Sequence, residues 1–200
     1  MIAGRMAKAS LALNALLILC IYYISIDSER DGRTFVRDAL ATKGKGVPFR
    51  YANFTELAKS TFPVTDKVTA HAFGAIYDVY FDTAARNRNV KLLEIGLGCG
   101  MRYGAGASSK IWPVLFPKGD IWFAEYDKGC IEKFWTNDLP WKYKYVVGDQ
   151  ANLGDLRSWV ETTRGGFDYI IDDGAHTNPS IWQSFEYRFE KALKPGGAYS

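Results

Sequence analysis

The sequence predicts an α/β fold, an open parallel sheet with helices on both faces. Two observations carry this. From residue 91 onward strand-like and helix-like stretches alternate, and the first strand runs into a glycine-rich turn, the feature found where such sheets open a ligand crevice. A third observation, an apolar run near the N-terminus, adds a membrane anchor helix ahead of the domain. Composition agrees with a single packed unit. The chain has 200 residues, 48% of them hydrophobic, with 6 Trp, 12 Tyr and 12 Phe, which is material for a core and not for intrinsic disorder. Lys and Arg number 25 against 22 Asp and Glu, a net charge of +3 with no long run of like charges. That balance argues against a partner bound mainly through its phosphates, so no nucleic acid is expected. Cys20, Cys99 and Cys130 are too few and too scattered for a disulfide scaffold or a four-ligand zinc site.

Leu11–Ile26 is almost wholly apolar, broken only by Asn14 and Ser25, with Arg5 and Lys8 before it and no acid until Asp27. This is the profile of an export signal or a signal anchor. Tyr22, Tyr23 and Ile24 stand where a small-residue cleavage site would lie, which favours an uncleaved anchor. Its apolar positions cover all faces, unlike those of an amphipathic core helix. The flanking positive charge predicts a cytosolic tail at 1–10, a span at 11–26 and a catalytic part that is lumenal (ER or Golgi) or extracellular. The sequon Asn53-Phe54-Thr55 fits that placement, whereas Asn178-Pro179-Ser180 is excluded by its proline. Residues 27–65, rich in charge, Gly and Pro, read as a stem or linker with one or two short helices, and 66–200 as the domain.

Within the domain, Val68, Ala72, Phe73, Ile76, Val79 and Tyr80 recur at helical spacing and predict a helix from Asp66 to about Asn87, with His71 as a structural residue. Strands are expected near Lys91–Gly96, Ile121–Tyr126, Tyr143–Gly148 and Phe167–Asp172. Helices are expected around Ser108–Phe116, Lys128–Asn137, Leu153–Thr163 and Ser180–Leu193. A last strand begins at Gly197. An open sheet that stops on its fifth strand is unusual, so the domain is expected to be truncated at its C-terminal end.

The first strand runs into Glu94-x-Gly96-x-Gly98-x-Gly100, where glycines allow close approach of backbone to ligand. A dinucleotide fingerprint would open directly into a helix. Here Met101 follows, the loop continues through Gly104 and Gly106, and an acid precedes the first glycine. Glu125, at the tip of the second strand, is placed to accept hydrogen bonds from two ribose hydroxyls, with Asp127 read as a surface cap. Asp149 and Gln150, after the third strand, are placed either to meet an adenine edge or to form a turn. The exit of the fourth strand gathers Asp172, Asp173 and His176. A histidine titrates near neutrality and serves as a general base, and adjacent aspartates position a substrate or hold a hard cation.

The series Tyr80-Phe81, LLEIGLGCG, Ile111-Trp112, Phe116-Pro117, Glu125, Gly148-Asp149-Gln150, FDYIIDDGAH and Phe185 to LKPGG resembles the macrolide sugar O-methyltransferases, the demethylmacrocin and mycinamicin type. These are class I S-adenosylmethionine-dependent enzymes with a Rossmann-like sheet, and the resemblance covers about residues 77–200. It implies S-adenosylmethionine as cofactor, bound by Glu94, Gly96, Gly98, Gly100, Glu125, Asp149, Gln150 and Asp172. It also implies magnesium on Asp173, His176 as base on a sugar hydroxyl, and a small-molecule or glycan acceptor. Two departures stand out. The family's Gly-Gly-Tyr loop reads Gly98-Cys99-Gly100-Met101-Arg102-Tyr103 here, and the family's later Glu-Asp-Leu segment, which supplies a metal ligand, has no counterpart before Ser200. A tethered cofactor-binding protein without turnover, or a nicotinamide oxidoreductase, are the alternative readings.

Overall fold

The computed structural model of the protein describes residues 53–81, 88–136 and 143–200. The expected tail, the anchor Leu11–Ile26 and the stem up to residue 52 lie outside the described residues. Among the described residues no helix is long and apolar enough to cross a membrane.

Five strands form one parallel sheet in the order β3-β2-β1-β4-β5: β1 (Lys91–Ile95), β2 (Asp120–Glu125), β3 (Lys144–Val147), β4 (Phe167–Asp172) and β5 (Leu193–Tyr199). The strand order reverses between β1 and β4, so the crevice of this Rossmann-like sheet opens at their C-terminal ends. Central parallel strands are covered on both faces and are therefore apolar throughout, as KLLEI and FDYIID nearly are. Leu92, Phe123, Tyr169 and Ile171 bury one face. That face carries α1 (Phe54–Ser60), α2 (Phe73–Tyr80), α3 (Trp112–Leu115) and α4 (Lys128–Thr136). Leu93, Ile95, Val146 and Ile170 bury the other, under α5 (Leu153–Thr163) and α6 (Asn178–Lys191).

The four main strands and the later helices fall within a residue or two of their expected places, and three expectations change. The helix expected from Asp66 to Asn87 is interrupted. Asp66 O takes the amides of Thr69, Ala70 and His71, which closes a 3-10 turn at Asp66–Val68, and helix resumes only at Phe73. Phe54, Leu57 and Ala58, expected in the stem, are buried in the core. Asn53 Oδ1 accepts from Glu56 N at 2.9 Å and caps α1. Phe54 then stacks on Trp112 at 5.5 Å and meets Tyr77 edge-on at 4.9 Å. Lastly, β5 begins at Leu193, ahead of Gly197. Gly196 at φ +80° and a register shift opposite Phe167–Tyr169 carry the Lys-Pro-Gly-Gly turn signal inside the strand. A disulfide joins Cys99, in the loop after β1, to Cys130 in α4. It is a single staple and not a scaffold, and nothing in the sequence had paired these two cysteines.

Candidate functional site

A cavity of about 650 Å³ lies at the C-terminal ends of β1 to β4. The loop Gly96–Met101, the β2 tip, the loop Gly148–Ala151, the β4 exit Asp173–His176 and the turn Thr65–Lys67 all line it. Gly96, Gly98, Gly100, Glu125, Asp149, Gln150, Asp173 and His176, all expected at the site, stand on its wall.

Glu125 is 9% exposed, and backbone donors orient it: Oε2 accepts from Leu97 N at 2.8 Å and Oε1 from Asp127 N at 2.9 Å. An ionised carboxylate offers about four acceptor positions, so capacity remains for a diol. Asp127 is the cap it was read as, since its Oδ1 accepts from Cys130 N at 2.9 Å. Gly96 has φ +91°, and a Cβ there would collide with the carbonyl oxygen of Asp173, so the loop can cross the end of β4 only as glycine. A Cβ on Gly100 would point into open space. Asp149 forms a turn, accepting from Ala151 N at 2.8 Å. Gln150 ties the third and fourth loops together: its Oε1 accepts from Ala175 N at 2.8 Å while Nε2 donates to Asp172 at 3.1 Å.

Two expected cofactor ligands do not reach the wall. Glu94 is fully buried beneath the glycine loop, where its carboxylate accepts from Ser108 Oγ at 2.8 Å and Trp112 Nε1 at 2.7 Å and pairs with Lys67 Nζ at 2.8 Å. Asp172 is the hub of a second internal network, accepting from Ser184 Oγ and Tyr199 OH, both at 2.6 Å, as well as from Gln150. Both carboxylates support the walls from behind.

Lys67 is the residue that sequence reasoning missed. It is 1% exposed, and its ammonium bridges Glu94 and Asp173 Oδ2. Burial alone would lower its pKa, but the two carboxylates outweigh burial and hold it above the ordinary lysine range, so the ammonium is charged. A lone Lys in a Thr-Asp-Lys turn gives no sign of this in the sequence. His176 has φ +52°, its side chain is 60% exposed, and its Nε2 lies 3.6 Å from Asp173 Oδ1. Burial and Asp66 push the phenol of Tyr103, on the cavity rim, above its usual pKa.

Among the described residues a magnesium site is at most partly present. A magnesium ion wants near-octahedral oxygen ligands, yet no three His, Cys, Asp or Glu side chains gather to hold a metal. The single carboxylate expected to bind it, Asp173, is engaged by Lys67.

No family model matches the chain. The mycinamicin VI 2''-O-methyltransferase of Micromonospora griseorubida is 34% identical to it over 131 residues, covering 64% of this chain and 30% of that protein. The demethylmacrocin O-methyltransferase of Streptomyces fradiae is 35% identical over 132 residues, covering 64% and 31%. The MycE methyltransferase of the mycinamycin biosynthetic pathway, solved in complex with Mg and SAH, matches with a TM-score of 0.61 at 32% identity, over 75% of this chain and 39% of that one. The chain therefore spans about 30% of the length of the curated relatives it matches. The resemblance drawn from the sequence holds in both sequence and fold.

Proposed function

We propose, for a chain whose sequence and fold are similar to the macrolide sugar O-methyltransferases, that it takes part in methyl transfer from S-adenosylmethionine to a hydroxyl of a sugar or glycosylated small molecule. The observation that carries this is Glu125, a carboxylate held by two amides on the wall of the cavity that the glycine loop also lines. A ribose diol is the partner such an acceptor-only group suits.

Bound S-adenosylmethionine supplies an activated methyl carbon, which the acceptor oxygen takes as the carbon–sulfur bond breaks and sulfur keeps the electron pair. The protein's own tasks are positioning and removal of the hydroxyl proton. His176 is on the wall and open to an acceptor. With Nε2 turned toward Asp173 Oδ1, Nδ1 is the nitrogen left to take the proton, and the carboxylate steadies the imidazolium that results. Magnesium assistance is implied by the resemblance, with Asp173 as the ligand candidate among the described residues. The relatives' sugar acceptors and the Mg of MycE recommend a macrolide glycoside and added magnesium as arms of any assay.

The test is calorimetry with S-adenosylhomocysteine, with NADH as the control. The protein should bind the first and ignore the second. Glu125→Ala, which removes charged hydrogen-bond partners worth about 1.5–3 kcal/mol, should weaken binding at least about tenfold. Undiminished affinity in that variant would remove Glu125 from the site, and binding of NADH alone would overturn the methyltransferase reading.

A further inference from the structure

We infer that Lys67 is a positioning residue of the cavity, clamping the turn Thr65–Val68 against the sheet and holding the Asp173 carboxylate in place. The inference rests on the cofactor site proposed above and goes beyond it. Three elements distant in sequence meet at one ammonium: the turn that carries it, Glu94 in β1 and Asp173 after β4. Glu94 is at 0% exposure and Asp173 at 17% for their side chains.

Each contact acts on a part of the cavity. Thr65 and Asp66 form one wall, and their seat depends on the buried Lys67 between them and the sheet. Asp66 and Tyr103 of the glycine loop both line the cavity, and the Asp66 charge acts on the Tyr103 phenol, so the turn faces the loop across it. On the other side, Asp173 N donates to Ile95 O at 2.9 Å and the Asp173 carbonyl packs on Gly96, which places this residue at the floor between β1 and β4. The free oxygen of its carboxylate faces His176. Without the ammonium, Glu94 and Asp173 would be two like charges at the floor with Glu94 shut off from water, an arrangement that would force the floor to rearrange.

Removing only one partner of a buried pair leaves an uncompensated charge and destabilises the fold, whereas removing both buried charges is far milder. Lys67→Met alone should therefore lower the melting temperature. Lys67→Met with Glu94→Gln should recover it, because Asp173 can still be solvated. In that double variant S-adenosylhomocysteine should bind about tenfold more weakly or worse by calorimetry, because the turn and Asp173 have lost their clamp, with the fold intact. In the unmodified protein, hydrogen exchange at residues 66–69 should slow when S-adenosylhomocysteine binds. A folded double variant with unchanged affinity would overturn the inference. So would exchange at 66–69 that ignores the ligand, whether or not the variants fold. Failure of the unmodified protein to bind S-adenosylhomocysteine would instead count against the proposed cofactor site.

Discussion

Four of the acids at or beside the C-terminal strand ends divide by what reaches them. Glu125 and Asp173 are on the cavity wall, while Glu94 and Asp172 are enclosed by donors from other elements. In the sequence all four look alike, an acid at the end of an apolar run. Trp112 and Lys67 enclose Glu94, and Ser184 and Tyr199 enclose Asp172. Those partners arrive through tertiary contacts that no local pattern announces. His176 was legible because an imidazole in a glycine-containing loop has little structural use. It lines the cavity at a positive φ, unusual for a residue with a side chain. If it accepts the hydroxyl proton, His176→Ala should cost about a hundred- to ten-thousand-fold in methyl-transfer rate, with S-adenosylhomocysteine affinity nearly unchanged. Single-turnover kinetics beside calorimetry separate the two, and an equal loss in both would assign His176 to binding.

At the scale of elements, β1 to β4 were readable because doubly covered parallel strands must be apolar, and α5 because its ends are marked. Asn152 caps it through Gly154 N at 2.7 Å, and Arg164 at φ +62° leads into a pair of glycines. The stretch after Thr65 departs from a continuous helix because Val68 and Ala72 keep helical spacing across a turn, and periodicity does not register where hydrogen bonds change partner. The start of β5 was hidden by Pro and Gly, which signal a turn but here sit at a bulge on an edge strand. The junction of β1 and β4 offers the sharpest test at this scale. Gly96→Ala adds about 1–2 kcal/mol of left-handed strain to a collision with the Asp173 backbone. It should lower the melting temperature and also abolish the stabilisation that S-adenosylhomocysteine confers on the unmodified protein. Thermal scans with and without ligand would show both, and a variant that melts and binds like its parent would refute the close packing.

For the molecule as a whole, the Cys99–Cys130 bond links the cofactor loop to α4 across a sequence separation of 31 residues. Closing a loop of that size removes unfolded-state freedom worth about 3–4 kcal/mol. Reduction by a dithiol should lower the melting temperature by roughly 10 °C. A scan unmoved by reductant, or two alkylatable thiols at 99 and 130 in the untreated protein, would show that the staple is not formed. The Lys67 bridge has a different consequence, one in time. Lys67 and Asp173 are 106 positions apart. A ribosome adding about 5–20 residues per second therefore delivers the lysine roughly 5–20 s before its second partner. Glu94 emerges early in that interval, so a growing chain can neutralise the ammonium once, but the cavity floor closes only when the β4 exit has left the exit tunnel. A nascent chain halted before that point carries every glycine of the cofactor loop and still has no finished place to put the ligand.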